Sequence, residues 1–178
     1  MRRALDMLYR AAAGLAALCL VAILVMVAVQ IAARLLDFAL VKLGLPPTRF
    51  IVPSLAEISG FLLGAATFLA LADTLAKNVH IRVDLLTTRL PDGVRRVVDG
   101  IVALLGAGVS GFATYAMAAL ALKSLSYNDL SYGMVAVPLA LPQAVLALGL
   151  LILTVALVDE GVLAFTGNDR ITGGGASV

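Results

Sequence analysis

Residues 77–86, Lys-Asn-Val-His-Ile-Arg-Val-Asp-Leu-Leu, gather Lys77, His80, Arg82 and Asp84 into eight positions, and His80 is the only histidine in the chain. These residue types could relay protons, bind a metal or activate a nucleophile. Each chemistry needs more than the sequence supplies. A zinc site takes three or four ligands from His, Cys and carboxylates, and His80 with the lone Cys19 does not begin such a set. A bis-histidine haem needs two histidines. Histidine-dependent acyl transfer in membranes pairs a His with an Asp five positions on, whereas His80 and Asp84 stand four apart. No glycine-rich phosphate loop is present. We therefore expect no catalytic residue, no metal and no cofactor.

The elements that position this cluster follow from composition. The chain has 178 residues, 62% hydrophobic and 13% charged, with mean hydropathy +1.06. Soluble domains are about 45–50% apolar and about 25% charged, so this chain belongs in a bilayer. Charge-free runs cover Ala11–Ala33, Ile58–Ala72, Gly100–Leu122 and Leu130–Val158. A spanning helix needs roughly 20 apolar residues. Four spans are expected, at about 11–33, 55–78, 94–122 and 138–158, in one domain covering 1–178 with a loose tail at 167–178. No Asp, Glu, Lys, Arg or His falls near the middle of a span, and such charges usually mark ion pathways. A net charge of +2 is too small to suggest nucleic acid.

The first span is longer than the 7–15-residue core of a cleaved signal, and we expect it to be retained. Cys19 inside it reads as a small packing residue. Lys and Arg set the orientation. The amino-terminal segment, the turn 73–97 and the tail carry three, five and one; the opposite face carries Arg34, Lys42, Arg49 and Lys123. Nine against four places both termini, and the His80 turn, in the cytoplasm.

Helix ends are punctuated. Ser54-Leu-Ala-Glu57 has the form of a capping box, in which the N-cap hydroxyl and the carboxylate three residues on satisfy free backbone amides. Asp73 and Lys77 form an i, i+4 pair in the last turn of the second helix. Asp92 is placed to cap the third helix, and Pro138 or Pro142 to open the fourth. Two readings stand for Arg34–Phe50: a short interfacial helix, or a loop ending at Pro46-Pro47. For helix contacts, Gly60-Phe-Leu-Leu-Gly64 and the stripe Gly106, Ser110, Thr114 offer close approach. Gln30, Thr67, Tyr115 and Gln143 are candidates for bonds across helices.

Residues 57–91, EISGFLLGAATFLALADTLAKNVHIRVDLLTTRLP, resemble the signature region of the small membrane subunit (DctQ-type) of tripartite ATP-independent periplasmic (TRAP) transporters. Glu57, Phe68-Leu69, Lys77 and His80-Ile-Arg82-Val-Asp84 follow the family's order and spacing, and Leu141-Pro142 agrees with its fourth helix. Ala56, Ala70 and the turn Lys77-Asn-Val depart from it. The resemblance implies a bacterial inner-membrane protein, multi-pass and not an enzyme. It implies a scaffold for a large elevator-type permease subunit, in sodium-driven uptake of an organic acid delivered by a periplasmic binding protein. Glu57, Gly60, Gly64, Lys77, His80, Arg82 and Asp84 become the expected partner or interface contacts, with membrane lipid as further surroundings. A small lipid-modifying enzyme and a stand-alone transporter are the alternatives.

Overall fold

The computed structural model describes residues 2–77 and 92–166. Four helices make up most of them: α1 (Arg2–Lys42), α2 (Leu55–Ala76), α3 (Asp92–Tyr127) and α4 (Ala140–Thr166). Each is long and apolar enough to cross a membrane. No strand occurs among the described residues, only one isolated bridge between Leu130 and Pro138. The tail 167–178 lies outside the described residues.

α1 is the main departure from expectation. It does not stop near Ala33 but runs unbroken to Lys42, so neither reading of Arg34–Phe50 describes it. Leu35, Leu36, Ala39, Leu40 and Val41 are strong or tolerated helix residues, and nothing interrupts them. The stop comes at Gly44, whose φ of 75° is easy only for glycine. Leu45 N–H donates to the Leu40 carbonyl and Gly44 N–H to that of Val41, which is a Schellman closure. Pro46-Pro47 then bars further helix. α3 ends the same way, with Asn128 at φ 51° and Asp129 N–H on the Ser124 carbonyl.

The principal packings are α1 on α2, α2 on α4 and α4 on α3. The spatial order is thus α1, α2, α4, α3. A cluster of mainly small residues joins the first three: Tyr9, Ala12 and Ala16 of α1, Ala66, Leu69 and Ala72 of α2, and Ile152 and Ala156 of α4. Alanines suit this place, because between helices in lipid close van der Waals contact takes the role that hydrophobic burial has in water. Gly149 of α4 lies directly on the backbone of Phe68 in α2.

α3 and α4 are clasped by hydroxyls. Thr154 donates to Ser110 Oγ at 2.9 Å, and Ser110 donates to the Leu150 carbonyl at 3.2 Å. Thr114 Oγ1 lies 3.4 Å from Thr154 Oγ1. Below them Gly106 faces Leu157, so the stripe Gly106, Ser110, Thr114 is a contact face, turned to α4. Thr154→Val keeps the branched shape and removes the donor. Interhelical hydrogen bonds in membranes average about 0.6 kcal/mol, so a fall of a few degrees in the detergent-solubilised melting temperature is expected. An unchanged melting temperature would show that the Thr154 hydroxyl adds nothing to the hold of α3 on α4.

Candidate functional site

The expected contact residues do not converge. Glu57 lies in the first turn of α2 and Lys77 just past its last. Twenty residues of helix separate them by about 30 Å, so they belong to opposite ends of the spanning region. His80, Arg82 and Asp84 lie outside the described residues.

At the Glu57 end the capping box is not formed. Ser54 has φ 52° and makes no side-chain bond to the helix amides. Its hydroxyl instead accepts Val135 N–H at 2.9 Å, from the loop between α3 and α4. Tertiary contact has taken the hydroxyl that the local pattern assigned to the helix. Gly133 of the same loop lies against the Ser54 hydroxyl and the Glu57 carboxylate, where a Cβ would overlap Glu57 Oε2. Oε2 is buried without a hydrogen bond among the described residues. The carboxylate therefore stays near the positive end of α2, where the helix dipole favours it, without reaching back to the cap.

The loop is itself ordered by hydrogen bonds. Leu139 N–H donates to the Asp129 carbonyl and Ser131 N–H to that of Val137. Ser131 Oγ accepts Val137 N–H and donates to the Val135 carbonyl. Tyr132 and Met134 stand exposed at the tip.

In the middle of α2 the two glycines part company. Gly64 packs on Leu146 of α4, with Cδ1 3.7 Å from where a Cβ would stand. Gly60 meets nothing within 4 Å and faces outward. The motif is thus half an internal contact and half an open face.

At the other end Lys77 Nζ sits 2.6 Å from Asp73 Oδ2, the i, i+4 pair read from the sequence. Asp73 is buried and Lys77 exposed, so the lysine carries the pair to the water boundary. α4 runs past Val158 to Thr166 and turns Glu160 inward on the same side of the fold.

The other polar candidates divide. Gln30 Oε1 accepts Val52 N–H at 2.7 Å, linking α1 to the segment before α2 rather than to a helix. Thr67 bonds within its own helix, to the Leu63 carbonyl. Tyr115 is exposed, and Gln143 Oε1 is buried with no hydrogen bond among the described residues.

Sequence reasoning missed Asp37. Its carboxylate takes Thr48 N–H at 2.7 Å, the Thr48 hydroxyl at 2.6 Å and Arg49 N–H at 3.1 Å. Together with Gln30 it straps residues 48–52 back along α1. The signal available was a lone acid seven residues after a lone amide, two turns apart on one helix face.

No group of three or more His, Cys, Asp or Glu comes together among the described residues. The arrangement of the described residues positions loops and presents surfaces. Against sequence models of known families, residues 48–167 match "Tripartite ATP-independent periplasmic transporters, DctQ component", more than half of the chain. Comparisons with curated proteins and with solved structures gave no match.

Proposed function

From the chain's membership of the DctQ component family of TRAP transporters, we infer that it braces a large elevator-type permease subunit. The transport it serves is sodium-driven uptake of an organic acid brought by a periplasmic binding protein. The observation that carries this is how little the spans cover one another. Along the most apolar stretch of each described span at most 22% of the residues are buried within the chain, so the rest are at least partly open to lipid and a partner. A brace needs such surface and needs no charged pathway.

In this reading both termini lie in the cytoplasm, in a bacterial inner membrane. The Ser54–Gly133–Glu57 contact then faces the periplasm. A reporter active only in the periplasm should be silent when fused after Val178 and active when inserted near Lys123. The reverse polarity would place the His80 turn outside and remove the topology.

Lys77, His80, Arg82 and Asp84 form a cytoplasmic docking edge in this proposal, where charges meet water, headgroups and the large subunit. Asp84→Lys sets a third cation beside Lys77 and Arg82 and should loosen the complex, because like charges brought together suppress association. The test is co-purification of the two subunits after co-expression. The wild-type chain should carry the large subunit through affinity capture and the Asp84→Lys chain much less of it. Equal recovery would reduce the motif to a wet turn, and failure of the wild-type pair to co-purify would remove the bracing role itself.

A further inference from the structure

α1 is much longer than its neighbours require. Its 41 residues make about 60 Å of helix, against a hydrocarbon core of about 30 Å. The registers show where the excess lies. Tyr9, Ala12 and Ala16 share one buried cluster with Ala66, Leu69 and Ala72, and pairing the two sets antiparallel puts the start of α2 beside residues 26–30. Gln30 holding Val52 N–H agrees. Gly64 against Leu146 and Gly149 against Phe68 set α4 to begin at nearly the same height. Ser110 on Leu150 and Gly106 on Leu157 bring the end of α3 there too. α2, α3 and α4 thus finish together, while α1 continues through residues 31–42. That arm adds about 18 Å, or roughly 14 Å even at a 40° tilt, the upper end of what spanning helices adopt. A headgroup layer of about 5–8 Å does not cover it.

The arm is built to stand. Its inner stripe, Gln30, Ala33, Asp37 and Leu40, is at least partly covered by the returning strap that Asp37 and Gln30 hold. Above α2 the strap thus covers the side of α1 that α2 covers below. The outer face is open and apolar: Leu35 is 63% exposed and Phe38 62%. The same face continues downward through Ile31, Leu24 and Val21, all exposed, at the i, i+3/i+4 spacing of one helix stripe. Two cations, Arg34 and Lys42, border it exposed, and Lys42 lies over the Phe38 ring at 4.8 Å. The one acid nearby, Asp37, is occupied by the strap.

The geometry points to an occupant that follows this stripe from bilayer depth to well above the headgroups. Lipid covers only the lower part, and a soluble protein reaches only the upper. A second copy of the chain would set Arg34 and Lys42 against the same cations. An integral membrane protein with an apolar helix surface edged by carboxylates fits throughout. Resting on the bracing role above, we assign the α1 arm as a docking post for the large permease subunit.

The test uses the co-expressed subunits with a photoreactive phenylalanine analogue at position 38 or 35. Irradiation should join the chain to the large subunit. In parallel, Arg34→Glu with Lys42→Glu should reduce recovery of the large subunit about tenfold, as reversed charges at an interface rim oppose association. Both positions are exposed, so the variant's own elution profile and melting temperature should stay those of the wild type. Adducts only with lipid, the binding protein or another copy would overturn the assignment, as would full recovery of the charge-reversed chain. If the unsubstituted chain co-purifies with the large subunit while position 38 gives no adduct, only the docking post falls. If it does not co-purify, the bracing role and the docking post fall together.

Discussion

Vesicles holding this chain alone, with an inward sodium gradient, should take up organic acids no faster than empty vesicles. Uptake should appear when the large permease subunit and a loaded binding protein are added. The expectation rests on where the polar groups lie. Asp73 and Lys77 pair at one end of α2 and Glu57 sits at the other. Glu160 falls in the last turns of α4. The hydroxyls at mid-depth, Ser110, Thr114 and Thr154, are engaged between α3 and α4. An ion crossing such a protein must shed its water without replacement ligands, and conduction needs groups that stand in for hydration. The measurement is radiolabelled uptake with and without the gradient. Saturable, sodium-dependent uptake by the isolated chain would make it a transporter in its own right and end the bracing role.

What was legible in the sequence is what depends on the bilayer. Four runs of apolar residues gave four helices, because no other open structure satisfies backbone groups in lipid. The Asp73–Lys77 pair was legible for a similar reason, since i, i+4 neighbours meet on any helix. The stripe Gly106, Ser110, Thr114 could be read as a contact face, but not its partner. What failed to read locally was whatever another segment decides. Ser54-x-x-Glu57 has the letters of a capping box, yet the loop at Gly133–Val135 claims Ser54 from 81 residues away. Span ends failed in a different way. Charges at Arg34 and Asp159 seemed to close α1 and α4, but charge marks the edge of the lipid and not the end of the helix. The true stop of α1, Gly44 before Pro46-Pro47, was in plain view as helix-ending chemistry. Of the candidate contacts, Gly60 and Gly64 look equivalent in sequence, yet only Gly64 packs on α4.

Gly149→Leu should have the largest effect of any single substitution within the described helices. The position lies in the middle of α4, where a leucine is itself a better helix former than glycine by up to about 1 kcal/mol. Helix propensity alone therefore predicts a more stable protein. Packing predicts the reverse. A Cβ at 149 would sit 2.8 Å from the backbone carbon of Phe68 and 2.9 Å from its carbonyl oxygen. A side chain could swing aside from such a contact, but a helix backbone must move as a whole. α4 would have to withdraw from α2, and Ile152 and Ala156 would withdraw with it from the cluster they share with Leu69 and Ala72. Overpacking of this kind typically costs 1–3 kcal/mol, occasionally more, which exceeds the propensity gain. α2 would then keep α1 as its only principal partner, and the row of four helices would divide at its centre. The expected result is a marked fall in melting temperature together with loss of large-subunit recovery. Gly149→Ala should show the same change in smaller measure, since it adds the clashing Cβ and little else. If both variants melt at or above the wild-type temperature, α2 and α4 do not approach as closely as Gly149 and Phe68 indicate, and propensity governs the site.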